Sequence, residues 1–306
     1  MAFIQELKRR NVKAVVAYKG KINFPIHDRE RLKEANLAMF EHAKTFGTVY
    51  EWGTAGGFSG VHDAGFLPVR NYTTNIFPDH ARMNGQYMRT HFELRSVPCY
   101  QCRFAHVKEV TVTEGPYTGF VGEEPEYEQF AAFGPVIGNT DVAEAVFLAN
   151  ECDRLGFENN EMGWTIGLAM ECYEKGVLSR EELDGLDMRW GNVEAAYALM
   201  RKIAHREGVG DLLAEGSRAA AAKLGPEAQA LTAEVKGLEL PMHDPRGSHG
   251  MGLAYMMSNR GACHNAHLMH PIEQGMNAWP EVGFEEDYIG QVDEGKGGGG
   301  GTFLPA

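Results

Sequence analysis

The chain has 306 residues, enough for about two domains at the usual ~150 residues each. Hydrophobic residues make up 43% and charged residues 23%, a globular balance that excludes a disordered acidic chain. Asp and Glu number 42 against 29 Lys and Arg, a net charge of −13, and no basic block offsets it. That excludes general nucleic-acid or anionic-membrane binding. There is no run of about 18 apolar residues to span a bilayer, and Met1–Asn11 is too charged for a secretory signal. Five cysteines, an odd number without a regular framework, suit a reducing cytoplasm better than a disulfide scaffold.

Val12–Tyr18 is rich in β-branched residues and predicts a strand that stops at Lys19-Gly20. From Asp28 the period becomes helical, with Leu32, Ala35, Met39, Ala43 and Phe46 on one stripe and Gly47 as the stop. Residues 48–98 are punctuated by Gly and Pro and predict a long loop with at most short helices. Val107–Thr113 alternates as a short strand or ribbon, ended by Gly115-Pro116.

Helices dominate after Gln129. Thr140 is placed to cap a helix with Val142, Ala145, Val146, Ala149 and Cys152 on its stripe, ending near Gly156. Met162–Lys175 follows and stops at Gly176, and Ser179 with Glu182 forms a capping-box pattern for a short turn. Val193–Glu207 and Asp211–Leu224 predict two more helices, ended by Gly208 and Gly225-Pro226. Gly295–Gly301 is a low-complexity tract outside the fold.

Three clusters carry chemistry. Cys99-x-x-Cys102 puts two thiols on one turn, and His106 can add a third metal ligand. The alternative is two buried or redox-idle cysteines. Glu123-Glu124-Pro125-Glu126-Tyr127-Glu128 is either a solvated acidic loop or a helix entrance holding one carboxylate for proton transfer. Arg260–His264, extended by His267 and His270, spaces three imidazoles along one helix face. Upstream, Lys236–Gly247 mixes charge and backbone-bending residues, as around a bound anion or in a turn between domains.

In their order along residues 10–270, these segments resemble the aldehyde ferredoxin oxidoreductase family of tungsten- or molybdenum-pterin enzymes. The resemblance rests on Asn11–Val16, Gly53–Gly56, Gly65–Tyr72, Cys99-x-x-Cys102, Pro125–Glu128, Asn150–Phe157, Gly210–Gly216, Lys236–Pro241, His243–Gly247 and Ser258–His264. It implies a mainly α fold, with two helical domains of that family's type and a short β remnant at the N-terminus. The expected divisions are 1–26 for the remnant of an N-terminal cofactor-binding β domain and 27–232 for a helical middle domain. A partial C-terminal helical domain follows at 233–290, and then a flexible Gly-rich tail at 291–306.

By the same resemblance, Cys99 and Cys102 match the first two cysteines of a 4Fe-4S iron–sulfur motif. His106 stands where the family has the third, and no cysteine follows Cys263, so the ligand set is incomplete. Asp153, Leu155, Gly156 and Phe157 match a motif that contacts one pterin of the tungsten- or molybdenum-bis-pterin. Glu126 is the expected active-site glutamate, with Glu124 as the near alternative, and His264 the histidine near the metal. The basic residue often found two positions later in the family is Ala266 here. The implied activity is oxidation of an aldehyde to a carboxylate, with electrons passed through the cluster to ferredoxin in the cytoplasm. The implied assembly is an oligomer, with a separate chain able to supply the N-terminal domain. The competing expectation is a truncated or divergent non-catalytic fragment or subunit, with Cys99, Cys102 and His106 idle or binding zinc.

Overall fold

Helix α7 (Asn159–Glu174) is buried almost all the way round, from Met162 to Cys172, so neighbours must enclose it on every side. The computed structural model describes residues 25–45, 47–99, 102, 105–266, 269 and 273. The strand expected at Val12–Tyr18, His267, His270 and the glycine tail lie outside the described residues.

The protein is mainly α. Helix α1 (Arg29–Ala43) is capped by Asp28, whose carboxylate accepts from the Arg31 N–H at 2.9 Å. It starts where predicted but ends at Ala43 with Lys44 as its cap, and Gly47, the predicted stop, opens the next helix; none of its described residues is buried, and Leu32, Leu37 and Met39 are exposed. The glycine-rich stretch folds into short pieces: α2 (Gly47–Trp52), a 3-10 turn (Thr54–Gly57), α3 (Phe58–Asp63), a second 3-10 turn (His80–Arg82) and α4 (Gly85–His91).

A three-stranded antiparallel sheet follows, in the order β1 (Glu93–Ser96), β2 (Lys108–Thr111) and β3 (Val121–Glu123). The sequence predicted only the middle strand. In this register Leu94 opposes Val110, and Val110 opposes Gly122.

The main core forms where α5 (Tyr127–Phe133), α6 (Val142–Leu155) and α7 meet. Asp141, not Thr140, caps α6, accepting from the N–H groups of Ala143 and Glu144. Gly163 lets α7 sit against α5, because a Cβ there would lie 2.8 Å from the Ala132 Cβ. Helix α8 (Val193–His205) turns a buried stripe of Ala196, Leu199, Met200 and Ile203 inward. The single helix predicted over Asp211–Leu224 is instead two, α9 (Val209–Leu213) and α10 (Ser217–Leu224). The break falls at Gly216, whose φ of 92° no helix accommodates. A short helix α11 (Pro226–Gln229), a two-stranded ribbon of β4 (Glu234–Val235) and β5 (Leu238–Glu239), and α12 (His249–Met257) complete the described fold.

Two devices aim the acidic segment that follows β3. Asn150 of α6 clamps the strand end: its Oδ1 accepts from the Glu123 N–H at 2.8 Å and its Nδ2 donates to the Glu123 carbonyl at 2.9 Å. Gly122 makes room for that amide, since a Cβ would lie 2.6 Å from the Asn150 Cγ. Arg89 of α4 then pairs with Glu124 through Nε at 2.7 Å and Nη2 at 2.6 Å, with both side chains only 4% exposed. The same guanidinium donates to the carbonyls of Glu51 and His106, tying four segments together.

Removing Arg89 would strand a buried carboxylate. Arg89→Met is expected to cost about 3–5 kcal/mol. Urea denaturation would show this as a lower midpoint at unchanged slope.

Candidate functional site

The segment Glu123–Glu128 leaves the sheet, passes Pro125 and enters α5, and each turn sends a carboxylate in a different direction. Glu124 is held in the Arg89 pair, and its Oε2 also accepts from the Lys108 N–H at 3.0 Å. Glu126 is the N-cap residue of α5 and is half exposed. Its backbone N–H donates to Gln129 at 2.8 Å, and its Oε2 accepts from the Thr54 hydroxyl at 2.5 Å. Across from it, His106 Nε2 lies 3.6 Å from Oε1.

Glu128, inside the first turn of α5, faces the segment that returns from β5. Its Oε2 accepts from the Met242 N–H at 2.7 Å and from Asn160 Nδ2 at 3.0 Å. Its Oε1, shut off from solvent, lies 3.3 Å from His243 Nε2 and 3.5 Å from His264 Nε2. The two imidazole centroids are 4.8 Å apart, and His243 stacks on Tyr127 at 5.0 Å. Tyr127 fixes the backbone there by donating to the Met242 carbonyl at 2.7 Å.

Of these groups, Glu128, Asn160 and His264, with Gln129, line a cleft of about 660 Å³, and His243 stands behind Glu128. Glu123, Glu124, Glu126, Asp153, Glu158, Glu161 and Glu239 add further carboxylates, and Arg260 supplies a cation. The environments separate these acids. Burial pushes Glu128 up, but the His243 hydrogen bond, the two imidazole charges and the Met242 N–H outweigh it and leave it below the usual carboxylate range. Glu239 is pushed up to about 7 by burial and the nearby Glu161 charge, and burial raises Glu158.

Asp153 sits in the last turn of α6 and accepts from Asn159 Nδ2 at 2.7 Å and Gln129 Nε2 at 3.0 Å. Gly156 takes the left-handed conformation that ends α6. Leu155 and Phe157 pack on the core, so within Asp153–Phe157 only Asp153 lines the cleft.

Cys99 is exposed and Cys102 half-buried, and the Cys102 N–H donates to the Cys99 carbonyl at 2.9 Å. Among the described residues two groups bring three ligand atoms within 4.8 Å of one another: His62 with Asp63 and His80, and Glu128 with His243 and His264. Cys99, Cys102 and His106 do not form a third such group.

Glu126 and His264 thus open onto one cleft, with Asp153 beside them. The carboxylate that meets His264 is Glu128, which the sequence reading passed over. His243 and Arg89 were missed as well. The one signal for Glu128 was its place inside the helix rather than at its mouth. For His243 it was the neighbouring Pro241 and Pro245, which bar a helix and turn the chain back.

Residues 30–296 match the family model described as aldehyde ferredoxin oxidoreductase, domains 2 and 3. The tungsten-containing aldehyde ferredoxin oxidoreductase of Pyrococcus furiosus is 37% identical over 271 residues, which is 85% of this chain and 43% of that protein. Its counterpart from Thermococcus kodakarensis is 36% identical over 83% of this chain and 42% of its own length. The aliphatic sulfonate oxidoreductase, WOR-like subunit, of Pyrococcus furiosus is 30% identical over 86% of this chain and 43% of its own. This chain therefore spans less than half the length of these relatives. The BamBC active-site complex of benzoyl coenzyme A reductase with 1,5-dienoyl-CoA shares the fold at a TM-score of 0.53 and 20% identity. That match covers 66% of this chain and 30% of the other. With its described helices, its acidic cleft and these relatives, the chain belongs to the aldehyde ferredoxin oxidoreductase family, in the part that holds domains 2 and 3.

Proposed function

We propose that this chain supplies the proton-handling wall of a tungsten- or molybdenum-pterin oxidoreductase that converts an aldehyde to a carboxylate. One observation carries the reading: Glu128 is held between His243 and His264 at 3.3 and 3.5 Å on the wall of the acidic cleft. Family membership supports the oxidoreductase class, and the relatives' names support tungsten. The whole assembly includes the rest of the family's length, on this polypeptide or another, and ferredoxin is the proposed electron acceptor. Cytoplasmic location and an oligomeric state are proposed with it. All five cysteines are free thiols, in keeping with a reducing compartment. The divisions at 27–232 and 233–290 are part of the same proposal.

The residues present fit a pterin. Asn159 Oδ1 and Asn160 Oδ1 are buried beside the cleft without a hydrogen-bond partner, and Asp153 adds an acceptor. Such acceptors match the N–H edge of a pterin ring. Asp153 and the two asparagines would hold it, and the bound cofactor would take up the two electrons of the oxidation. A four-cysteine iron–sulfur cluster does not fit. Beyond Cys99 and Cys102, the thiols of Cys152, Cys172 and Cys263 are buried. Burial also pushes the Cys172 thiol up to about 11. No electron path through a cluster in this chain is proposed.

Overall, an aldehyde and water give a carboxylate, three protons and two electrons. The chain's part is the protons. Glu128, ionised at rest, is the proton sink: His264, on the cleft wall, takes up a proton at one ring nitrogen and releases one from Nε2 to Glu128 Oε1, while His243 holds the other side of that oxygen. His264 at the cleft wall also stabilises negative charge on a substrate oxygen. Glu126 is assigned to the entrance of α5, and Glu124 to positioning through Arg89. Glu239, pushed up to about 7 among the cleft acids, holds a proton elsewhere in the cleft.

A second reading follows from His106 in the third cysteine position. The chain alone is then non-catalytic and completes a partner's site, with Cys99, Cys102 and His106 idle or binding zinc. Elemental analysis of the purified protein separates the readings: tungsten or molybdenum near one per chain supports the first, and zinc or no metal supports the second.

In the assembled enzyme, Glu128→Gln is expected to lower kcat by about 10²–10⁴, and Glu126→Gln by less than about tenfold. Equal losses in both variants would defeat the assignment. Glu239 gives a test in pH. Its folded value of about 7 exceeds its ordinary 4.5, so folding loses stability as pH rises from about 4.5 to about 7. Glu239→Gln is therefore expected to raise stability at pH 8 by on the order of 1 kcal/mol and to change little at pH 4. Urea melts at the two pH values would check this.

A further inference from the structure

None of His62, Asp63 and His80 lines the acidic cleft, and none is used by the proposed chemistry. His62 and Asp63 close α3, and His80 opens the following 3-10 turn. Their ligand atoms lie within 4.8 Å of one another. The imidazoles stack with centroids 4.1 Å apart and planes 11° apart, so one ring turns from the stack to aim both lone pairs at a shared ion, and His62 Nδ1 lies 3.0 Å from Asp63 Oδ1. The Nδ1 of His80 is buried without a hydrogen-bond partner.

We propose that His62, Asp63 and His80 form a site for a late first-row divalent metal ion of the zinc, cobalt or nickel class. Two imidazole nitrogens and one carboxylate oxygen suit those ions, whereas calcium and magnesium take oxygen ligands. The orphaned His80 nitrogen gains the partner it lacks. Asp63 serves as the oxygen ligand or orients His62 toward the ion, a common role for a carboxylate beside a ligating histidine. With Asp63 as a ligand, three protein donors leave a coordination position for water, and the Asp63 side chain, 65% exposed, gives access from solvent. An ion here would brace α3 against the 80–82 turn and so steady the loop between them. That loop meets the returning segment where the Phe66 carbonyl accepts from the Asp244 N–H at 2.5 Å.

The test uses the metal-stripped full chain with Co²⁺ as the probe. His264→Ala with Cys99→Ser serves as background, since the pair removes an imidazole from the other three-ligand group and a thiol from the Cys99 and Cys102 pair. Visible absorption and equilibrium dialysis are expected to show about one Co²⁺ per chain in this background. Affinity is expected to fall by on the order of tenfold or more when His62→Ala, His80→Ala or Asp63→Asn is added. Co²⁺ should raise the melting temperature only with all three residues intact. Asp63→Asn alters an exposed side chain and keeps the test decisive if a histidine variant fails to fold. Absence of Co²⁺ binding in the background, or binding unchanged by the added substitutions, overturns the proposal.

Discussion

The carboxylate of Glu128 joins parts of the chain that the sequence keeps far apart. It takes a backbone N–H from Met242, a side-chain donor from Asn160 of α7, and stands opposite two imidazoles from 243 and 264. A charge in that position costs several kcal/mol unless donors meet it. Here the donors come from three other segments, so α7 and the returning segment must reach α5 in the right phase together. The Trp164 indole reinforces the arrangement by donating to the Leu240 carbonyl at 2.6 Å, with Tyr72 stacked on its face at 4.7 Å.

Where a pattern was periodic and half-buried, the sequence revealed the element. Helices α6 and α8 carry apolar stripes and end in left-handed residues, so their spans were readable to within a residue or two. Strand β1 was not readable because all four of its residues are exposed, so no alternation marks it. The split between α9 and α10 was hidden because Gly216 falls on the stripe and reads as a small core residue, whereas its positive φ makes it a breaker.

The candidate site was legible as a set of clusters and illegible as a pairing. Glu124, Glu126 and Glu128 alternate in sequence, and only the start of α5 decides their directions. Because the helix begins at Tyr127, Glu126 stays outside as the cap while Glu128 is swung about 100° per residue into the cleft. His264 stood out through its neighbours. His243 did not, since its meeting with Glu128 depends on a reversal of the chain between two prolines.

The acidity of the cleft limits what can occupy it. A phosphate would meet repulsion from carboxylates on most sides, with Arg260 as the cation among the described lining residues. A group rich in N–H donors meets the opposite: Asp153 and the orphaned amide oxygens of Asn159 and Asn160 need donors. Packing so many acids together is tolerable because they do not all ionise alike. Glu128 is held ionised by its imidazoles, while burial and Glu161 keep Glu239 protonated up to about pH 7. The cleft thus keeps an ionised proton acceptor at one point and a protonated acid at another, a division that the proposed proton-handling role requires.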